Sequence, residues 1–128
     1  MATVIFLDTH VVVWLYAGEV DRFPPRARKK LESEPLVISP MVLLEIQYLH
    51  ELSRISQGPA LILKDLEKSL GLDVHTEDFE RIMVAALGES WTRDPFDRII
   101  TAHAHLAAAP LLTKDASIRK HYRQAFWD

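Results

Sequence analysis

The sequence has 128 residues, 48% of them hydrophobic and 26% charged, a net charge of −3 and no cysteine. This balance fits one globular domain over residues 1–128, and it excludes a disulfide framework and a thiolate metal site. It also excludes a strongly basic nucleic-acid-binding chain, so any contact with nucleic acid depends on local basic patches.

Two further features predict where the protein works. No apolar run approaches the roughly 20 residues that a membrane helix needs, and we therefore expect no membrane association. The start, MATVIFLDTH, has no basic segment ahead of its apolar run, so we expect no signal peptide. Together with the lack of cysteine, this favours the cytoplasm.

The hydrophobic pattern predicts short strands that alternate with helices. Strands are expected at residues 3–8, 36–39, 72–75 and 110–113. Helices are expected at residues 9–18, 23–34, 39–52, 59–70, 76–88, 94–109 and 115–123, with 124–128 as a tail. Ser39 and Thr76 are the predicted caps of two of these helices, and Gly71 and Gly88 follow the ends of two. This alternation predicts an α/β fold with a parallel sheet covered by helices.

Two acidic residues follow predicted strands. Asp8 ends the first strand, and Asp115 comes just after the fourth. Ligands of such sheets bind outside the carboxyl ends of the strands, so both side chains are candidates for a functional site. Each can also be a simple helix cap, because aspartate is among the best capping residues.

The segment RDPFDR, residues 93–98, carries two more acids. Asp94 precedes Pro95, which makes Asp94 the natural cap of the next helix. Asp97 falls in the first turn of that helix, where a negative charge suits the helix dipole. A structural role is favoured for Asp94, while Asp97 is a candidate for chemistry.

Glu45 is the most informative acid. Its helical neighbours Met41, Val42, Tyr48 and Leu49 are largely apolar, which predicts that Glu45 belongs to a buried face. A buried carboxylate needs a partner. An arginine, such as Arg93 or Arg98, and a metal ion are the two alternatives.

A divalent cation would explain all of these acids together. Carboxylates that meet at one edge of a sheet repel one another unless a cation neutralises them, and ligands that are all oxygen favour Mg²⁺ or Mn²⁺. Such an ion can activate water and offset charge on a phosphate. The acids therefore favour hydrolysis of phosphodiester bonds.

Other polar residues have weaker signals. Thr9 and Thr113 lie beside Asp8 and Asp115 and could orient carboxylates or metal-bound water. His10 could touch substrate or be a partly buried histidine, and His103 and His105 fall on different helix faces and are poorly placed to share one ion. Some basic residues could contact the phosphates of a nucleic acid, although a solvated helix face is the slightly favoured explanation for most of them. These residues are Arg26, Arg28, Lys29 and Arg98.

Four segments together resemble the PIN-domain family, and more narrowly the VapC toxins of toxin–antitoxin pairs. These segments are FLDTH, SPMVLLEI, RDPFDRIITAHA and LLTKDASI, in family order. The resemblance implies a three-layer α/β/α sandwich, usually a homodimer, and a Mg²⁺- or Mn²⁺-dependent ribonuclease that a small VapB-like antitoxin neutralises. It also implies that Asp8, Glu45, Asp97 and Asp115 surround the metal, with Thr113 as a supporting residue.

Three alternatives remain open at this point. The acids could belong to a nuclease that acts on branched DNA. A receiver-like phosphoacceptor module also places aspartates at strand ends and could use Lys114, although it needs paired acids after the first strand. The third alternative is a binding module with a structural ion cluster. The RNA target is expected to be a structured loop in tRNA or rRNA.

Overall fold

The molecule is described over residues 3–128 by a computed structural model. Its strands are β1 (Ile5–Leu7), β2 (Leu36–Ile38), β3 (Asp73–Val74), β4 (Leu111–Leu112) and β5 (Ala125–Phe126). Its helices are α1 (Thr9–Tyr16), α2 (Pro25–Ser33), α3 (Pro40–Glu51), α4 (Pro59–Leu70), α5 (Phe79–Leu87), α6 (Pro95–Leu106) and α7 (Ala116–His121). A 3₁₀ turn, Val20–Arg22, lies between α1 and α2.

The five strands form one parallel sheet in the order β3-β2-β1-β4-β5. The chain builds outward from β1 through β2 to β3, and then returns to the other side of β1 to form β4 and β5. Because crossovers between parallel strands are right-handed, this reversal puts the helices of the two halves on opposite faces of the sheet. The predicted α/β fold with a parallel sheet and helices on both faces is confirmed.

The centre of the sheet is the centre of the core. The side chains of Phe6, Leu7, Leu111 and Leu112 are fully buried. Strands covered on both faces are continuously apolar rather than alternating, which is why such short runs define strands here. Among residues 3–128, every helix is too short or too polar to cross a lipid bilayer.

Most predicted helix ends are confirmed. Ser39 caps α3 by accepting a hydrogen bond from the Met41 N–H at 3.3 Å, and Gly88 caps the end of α5. Gly71 follows α4 with φ of 68°, a left-handed conformation that glycine adopts without strain.

Three sequence predictions are wrong in detail. Thr76 does not cap α5, because Asp78 accepts the hydrogen bond from the Glu80 N–H at 2.9 Å. The helix expected to reach residue 109 ends at Leu106, since the chain turns at Ala108 with φ of 52°. The tail is not irregular: residues 125–126 form β5 and pair with β4.

Candidate active site

The strand order reverses between β1 and β4, and Asp8 lies at this point. The residue is almost fully buried, with 4% exposure. Oδ1 accepts a hydrogen bond from the Thr9 N–H at 2.7 Å, and Oδ2 accepts one from the Thr113 hydroxyl at 2.6 Å. The buried Thr113 thus ties the end of β4 to the acid that ends β1. Ligands of parallel α/β sheets bind in the crevice at such a reversal.

Asp115 is positioned from the same threonine. The Asp115 N–H donates to the Thr113 hydroxyl at 3.0 Å, and Asp115 Oδ1 accepts from the Ile118 N–H at 2.9 Å, which caps α7. Asp8 and Asp115 are therefore helix caps and also lie at the carboxyl edge of the sheet. The structural and the functional interpretation of these residues apply together.

Glu45 reaches the site from α3. Its Oε1 accepts a hydrogen bond from the Thr9 hydroxyl at 2.5 Å. Burial raises the pKa of Glu45, and the charges of Asp8 and Asp94 raise it further, against the Thr9 hydrogen bond that lowers it. The sequence allowed Arg93 or Arg98 as an ion-pair partner, but within residues 3–128 neither arginine forms a salt bridge with Glu45.

The two acids of RDPFDR have different environments. Asp94 caps α6, accepting from the N–H groups of Phe96 at 2.8 Å and Asp97 at 3.2 Å, so its predicted capping role is confirmed. The Asp97 side chain accepts no hydrogen bond from residues 3–128. Burial, followed by the charges of the neighbouring acids, raises the pKa of Asp97 to about 7. Asp97 is thus the least compensated carboxylate of the site.

All four acids predicted from the sequence line one cavity of about 410 Å³, together with Asp94. The other lining residues are Thr9, His10, Val13, Trp14 and Leu49. The oxygen donors match the preference of Mg²⁺ or Mn²⁺. Within residues 3–128, however, no three His, Cys, Asp or Glu side chains stand close enough to hold an ion directly. The donor chemistry fits a hydrated ion, since Mg²⁺ usually keeps several waters.

His10 has a defined tautomer. Its Nε2 accepts a hydrogen bond from the Lys114 N–H at 2.9 Å, so Nε2 carries no proton and the proton of the neutral ring is on Nδ1. Nδ1 lies 3.6 Å from Asp8 Oδ2. Burial lowers the pKa of His10, while the charges of Asp8 and Asp115 oppose that effect. The neutral ring therefore presents an N–H toward the Asp8 carboxylate.

The basic residues predicted to contact RNA do not line this cavity. Arg26 lies at the amino edge of the sheet, where it donates to the Asp128 carbonyl at 2.9 Å, and Arg28 donates to the Phe23 carbonyl at 3.0 Å. Lys29 is exposed on α2. Their role as RNA contacts stays a prediction, and their position outside this cavity gives it no support.

Arg98 has a structural environment that the sequence did not indicate. Its guanidinium donates to the carbonyls of Ala86 at 2.7 Å, Leu87 at 3.2 Å and Thr92 at 3.3 Å. The first two carbonyls belong to the end of α5. Arg98 therefore joins α6 to the last turn of α5, and these bonds do not support its predicted contact with RNA.

Sequence reasoning missed Trp14 as a residue of the site. Trp14 lines the acidic cavity next to His10, with ring centroids 4.9 Å apart. The spacing of four residues between His10 and Trp14 would have placed both on one helix face. His103 and His105 have separate partners, His75 at 3.0 Å and Glu89 at 3.1 Å.

Comparison with known proteins identifies the class of protein that this fold and cavity define. The PIN domain family profile matches residues 5–124, and the chain belongs to the PIN domain family. Within that family, the chain is 32% identical over 123 residues to Ribonuclease VapC22 of Mycobacterium tuberculosis, covering 93% of this chain and 92% of that protein. The resemblance found in the four sequence segments is therefore confirmed.

Solved structures share the fold. VapBC2 from Rickettsia felis, bound to a DNA fragment from its promoter, matches with a TM-score of 0.66 and 18% identity over 98% of this chain and 100% of that one. A toxin–antitoxin complex from Klebsiella pneumoniae matches with a TM-score of 0.64 and 16% identity over 95% of each chain. At this level of identity, these likenesses establish the architecture alone.

Proposed function

We propose that this chain, over residues 1–128, is a single-domain endoribonuclease toxin of the VapC type. It hydrolyses phosphodiester bonds in structured RNA, such as tRNA or rRNA, and depends on Mg²⁺ or Mn²⁺. The observation that carries the proposal is the convergence of Asp8, Glu45, Asp97 and Asp115 on one cavity that contains no compensating arginine or lysine among its lining residues in the described part of the chain. The similarity to a VapC ribonuclease supports the choice of RNA.

The four carboxylates are the residues that would hold the cation, which would keep several of its own waters. The raised pKa values of Glu45 and Asp97 reflect burial and mutual repulsion, which a cation in the cavity would relieve. When bound, a divalent ion supplies Lewis-acid stabilisation of the charge that develops on the phosphate oxygens.

The chain itself contributes orientation and proton exchange. Thr113 and Thr9 fix Asp8 and Glu45 through hydroxyl hydrogen bonds, so those carboxylates are ordered before substrate arrives. Asp97 has a pKa of about 7, so it exchanges its proton near neutral pH. With a cation in the cavity, the Asp97 proton would pass to solvent, and the ionised carboxylate would be one of the residues that hold the cation.

The test compares the parent chain with Asp97→Asn and with Asp65→Asn, a control that changes an exposed aspartate of α4. Purified tRNA and rRNA are incubated with Mg²⁺, Mn²⁺ or EDTA, and the new RNA ends are mapped by sequencing. We expect cleavage by the parent and the control with either ion, none with EDTA, and none by Asp97→Asn. Cleavage by Asp97→Asn at the parent rate contradicts the assignment. A parent that cuts branched flap DNA and leaves RNA intact supports the alternative DNA nuclease.

We further propose two protein partners. Solved relatives of this fold are VapBC complexes, which supports a VapB-like antitoxin as the inhibitor. A second copy of the chain is the other partner, and the exposed apolar side chains Leu44, Tyr48, Phe79 and Leu87 of α3 and α5 are consistent with an interface. We also propose that the activity takes place in the cytoplasm, where tRNA and rRNA are found. Light scattering of the purified chain, alone and with its antitoxin, tests both partners.

A further inference from the structure

We propose that Trp14, Arg22 and Lys114 form a nucleotide subsite beside the acidic cavity, which binds one unpaired base of the RNA and an adjoining phosphate. This inference rests on the proposed ribonuclease function, and it assigns the residues that bind substrate rather than those that hold the cation.

Trp14 lies next to the carboxylates. It lines the same cavity as Asp8, and the residue is only half-buried. The His10 ring lies between Trp14 and Asp8: its Nδ1 is 3.6 Å from Asp8 Oδ2, and its centroid is 4.9 Å from the Trp14 centroid. A base on Trp14 would therefore be a close neighbour of a phosphate at the carboxylates.

The Trp14 ring is fixed by its surroundings. The buried rings of Phe23 and Trp127 contact it edge-on, with centroids 6.2 Å and 6.0 Å away. Because the ring is already ordered, binding a base on it costs little side-chain entropy. The Trp14 indole N–H donates no hydrogen bond to the described residues 3–128 and is not a buried orphan, so it is available to a ligand.

Two cations lie over this ring, so a base that stacks on it would displace one of them. The Arg22 guanidinium lies 4.7 Å from the Trp14 centroid, and the Lys114 ammonium lies 5.9 Å from it. Arg22 also pairs with Glu19, whereas Lys114 is exposed and forms no salt bridge within residues 3–128. The Lys114 backbone is held by His10, so the lysine is anchored at the rim of the cavity.

This arrangement has the chemistry of single-stranded nucleic-acid binding. Such sites combine aromatic faces for bases with cations that follow the phosphates, and stacking tolerates any base. The acids of the cavity repel RNA, so cations at its rim supply the attraction that brings a phosphate close. None of Arg22, Lys114, Arg26 and Arg28 lines the cavity itself. Arg22 and Lys114 are better placed because their charged groups lie 4.7 Å and 5.9 Å from the ring of Trp14, which does line it.

The aromatic part is tested with Trp14→Leu, which keeps apolar packing, and Trp14→Phe, which keeps an aromatic face. Steady-state cleavage of a short RNA containing the mapped site is measured for both. We expect Trp14→Leu to raise KM roughly 5- to 100-fold, the equivalent of one lost stacked base, with a smaller change in kcat. Trp14→Phe should recover most of the loss. Equal KM values for Trp14→Leu and the parent, with both folded by circular dichroism, overturn the proposal.

The cationic part is tested by salt dependence. Binding of a fluorescent RNA oligonucleotide is measured in an Asp97→Asn background, which separates binding from cleavage. Lys114→Met should reduce the slope of log K against log salt by about 0.7, the value for one phosphate contact on a single strand. Lys68→Met, at an exposed position of α4, is the control and should leave the slope unchanged. An unchanged slope for Lys114→Met overturns the phosphate contact.

The outcomes separate this inference from the proposed function. A parent chain that cuts no RNA contradicts the proposed function, and the binding measurement then decides the subsite on its own. Variants at Trp14 and Lys114 that weaken antitoxin binding while RNA binding stays unchanged would assign the surface to a peptide, and the inference would be wrong.

Discussion

Replacing Asp97 with asparagine is expected to stabilise the protein at alkaline pH. The Asp97 carboxylate accepts no hydrogen bond from the described residues. Its pKa is raised from 3.8 to about 7, mainly by burial and further by the charges of the neighbouring acids. That difference corresponds to roughly 4 kcal/mol at about 1.36 kcal/mol per pH unit. Because the side chain keeps partial contact with solvent, screening reduces the expected cost of its charge to about 2 kcal/mol.

The pH dependence has a definite sign. Between about pH 4 and pH 7 the folded chain holds a proton on Asp97 and the unfolded chain does not. The contribution of Asp97 to the free energy of unfolding therefore falls as pH rises through this window, and the penalty is complete above pH 7. An asparagine is neutral throughout, so Asp97→Asn and the parent should be equally stable near pH 4 and diverge as pH rises.

Urea unfolding in EDTA, followed by circular dichroism at pH 4.5 and pH 8, measures this difference. We expect Asp97→Asn to be about 2 kcal/mol more stable than the parent at pH 8. Asp65→Asn should match the parent at both pH values. Mg²⁺ at pH 8 should raise the melting temperature of the parent more than that of Asp97→Asn, because the ion relieves the repulsion. If Asp97→Asn is no more stable than the parent at pH 8, the account of this cavity is refuted.

Three other substitutions test the surrounding structure. Thr113→Val removes the hydroxyl shared by Asp8 and Asp115, which should cost about 1–3 kcal/mol of stability and weaken the stabilisation by Mg²⁺. Thr113→Ser keeps the hydroxyl and should preserve the stability and the effect of Mg²⁺, and thermal unfolding measures both variants. His103 has a pKa lowered to about 4 by burial and by a neighbouring histidine, so stability should fall as pH drops from 6.5 to 4, and His103→Leu should flatten that part of the urea-unfolding profile. Arg98→Ala should destabilise the chain by about 1.5–3 kcal/mol without changing the salt slope of RNA binding. Arg98→Lys should not restore stability, because lysine lacks the planar guanidinium that reaches several carbonyls.

The sequence was sufficient to predict the acids and the sheet edge at which they meet. Asp8 and Asp115 each follow a strand and begin a helix, and that local order is readable without coordinates. Asp94 could be assigned as a cap because Pro95 follows it. In each case the deciding signal lies within a few residues of the chain.

The features that were missed depend on distant parts of the chain. Strand β5 has two residues and exists because β4 offers it an edge, which no local pattern reveals. The bonds from Arg98 reach carbonyls of a different helix. Arg22 was missed as a cation near the cavity because its position there depends on Trp14, which α1 brings to the cavity. Helical periodicity shows which residues share a face, but not what that face is packed against.

Asp8 and Asp115 are helix caps as well as acids of the cavity, so they tolerate fewer substitutions than Asp97. A residue that cannot cap a helix at either position costs about 1 kcal/mol of folding free energy in addition to activity. Asparagine at position 97 is instead expected to raise stability above about pH 7. If cells that express the chain without antitoxin are selected for survival, missense alleles that introduce a residue unable to cap a helix and still accumulate full-length protein should be more frequent at codon 97 than at codons 8 and 115.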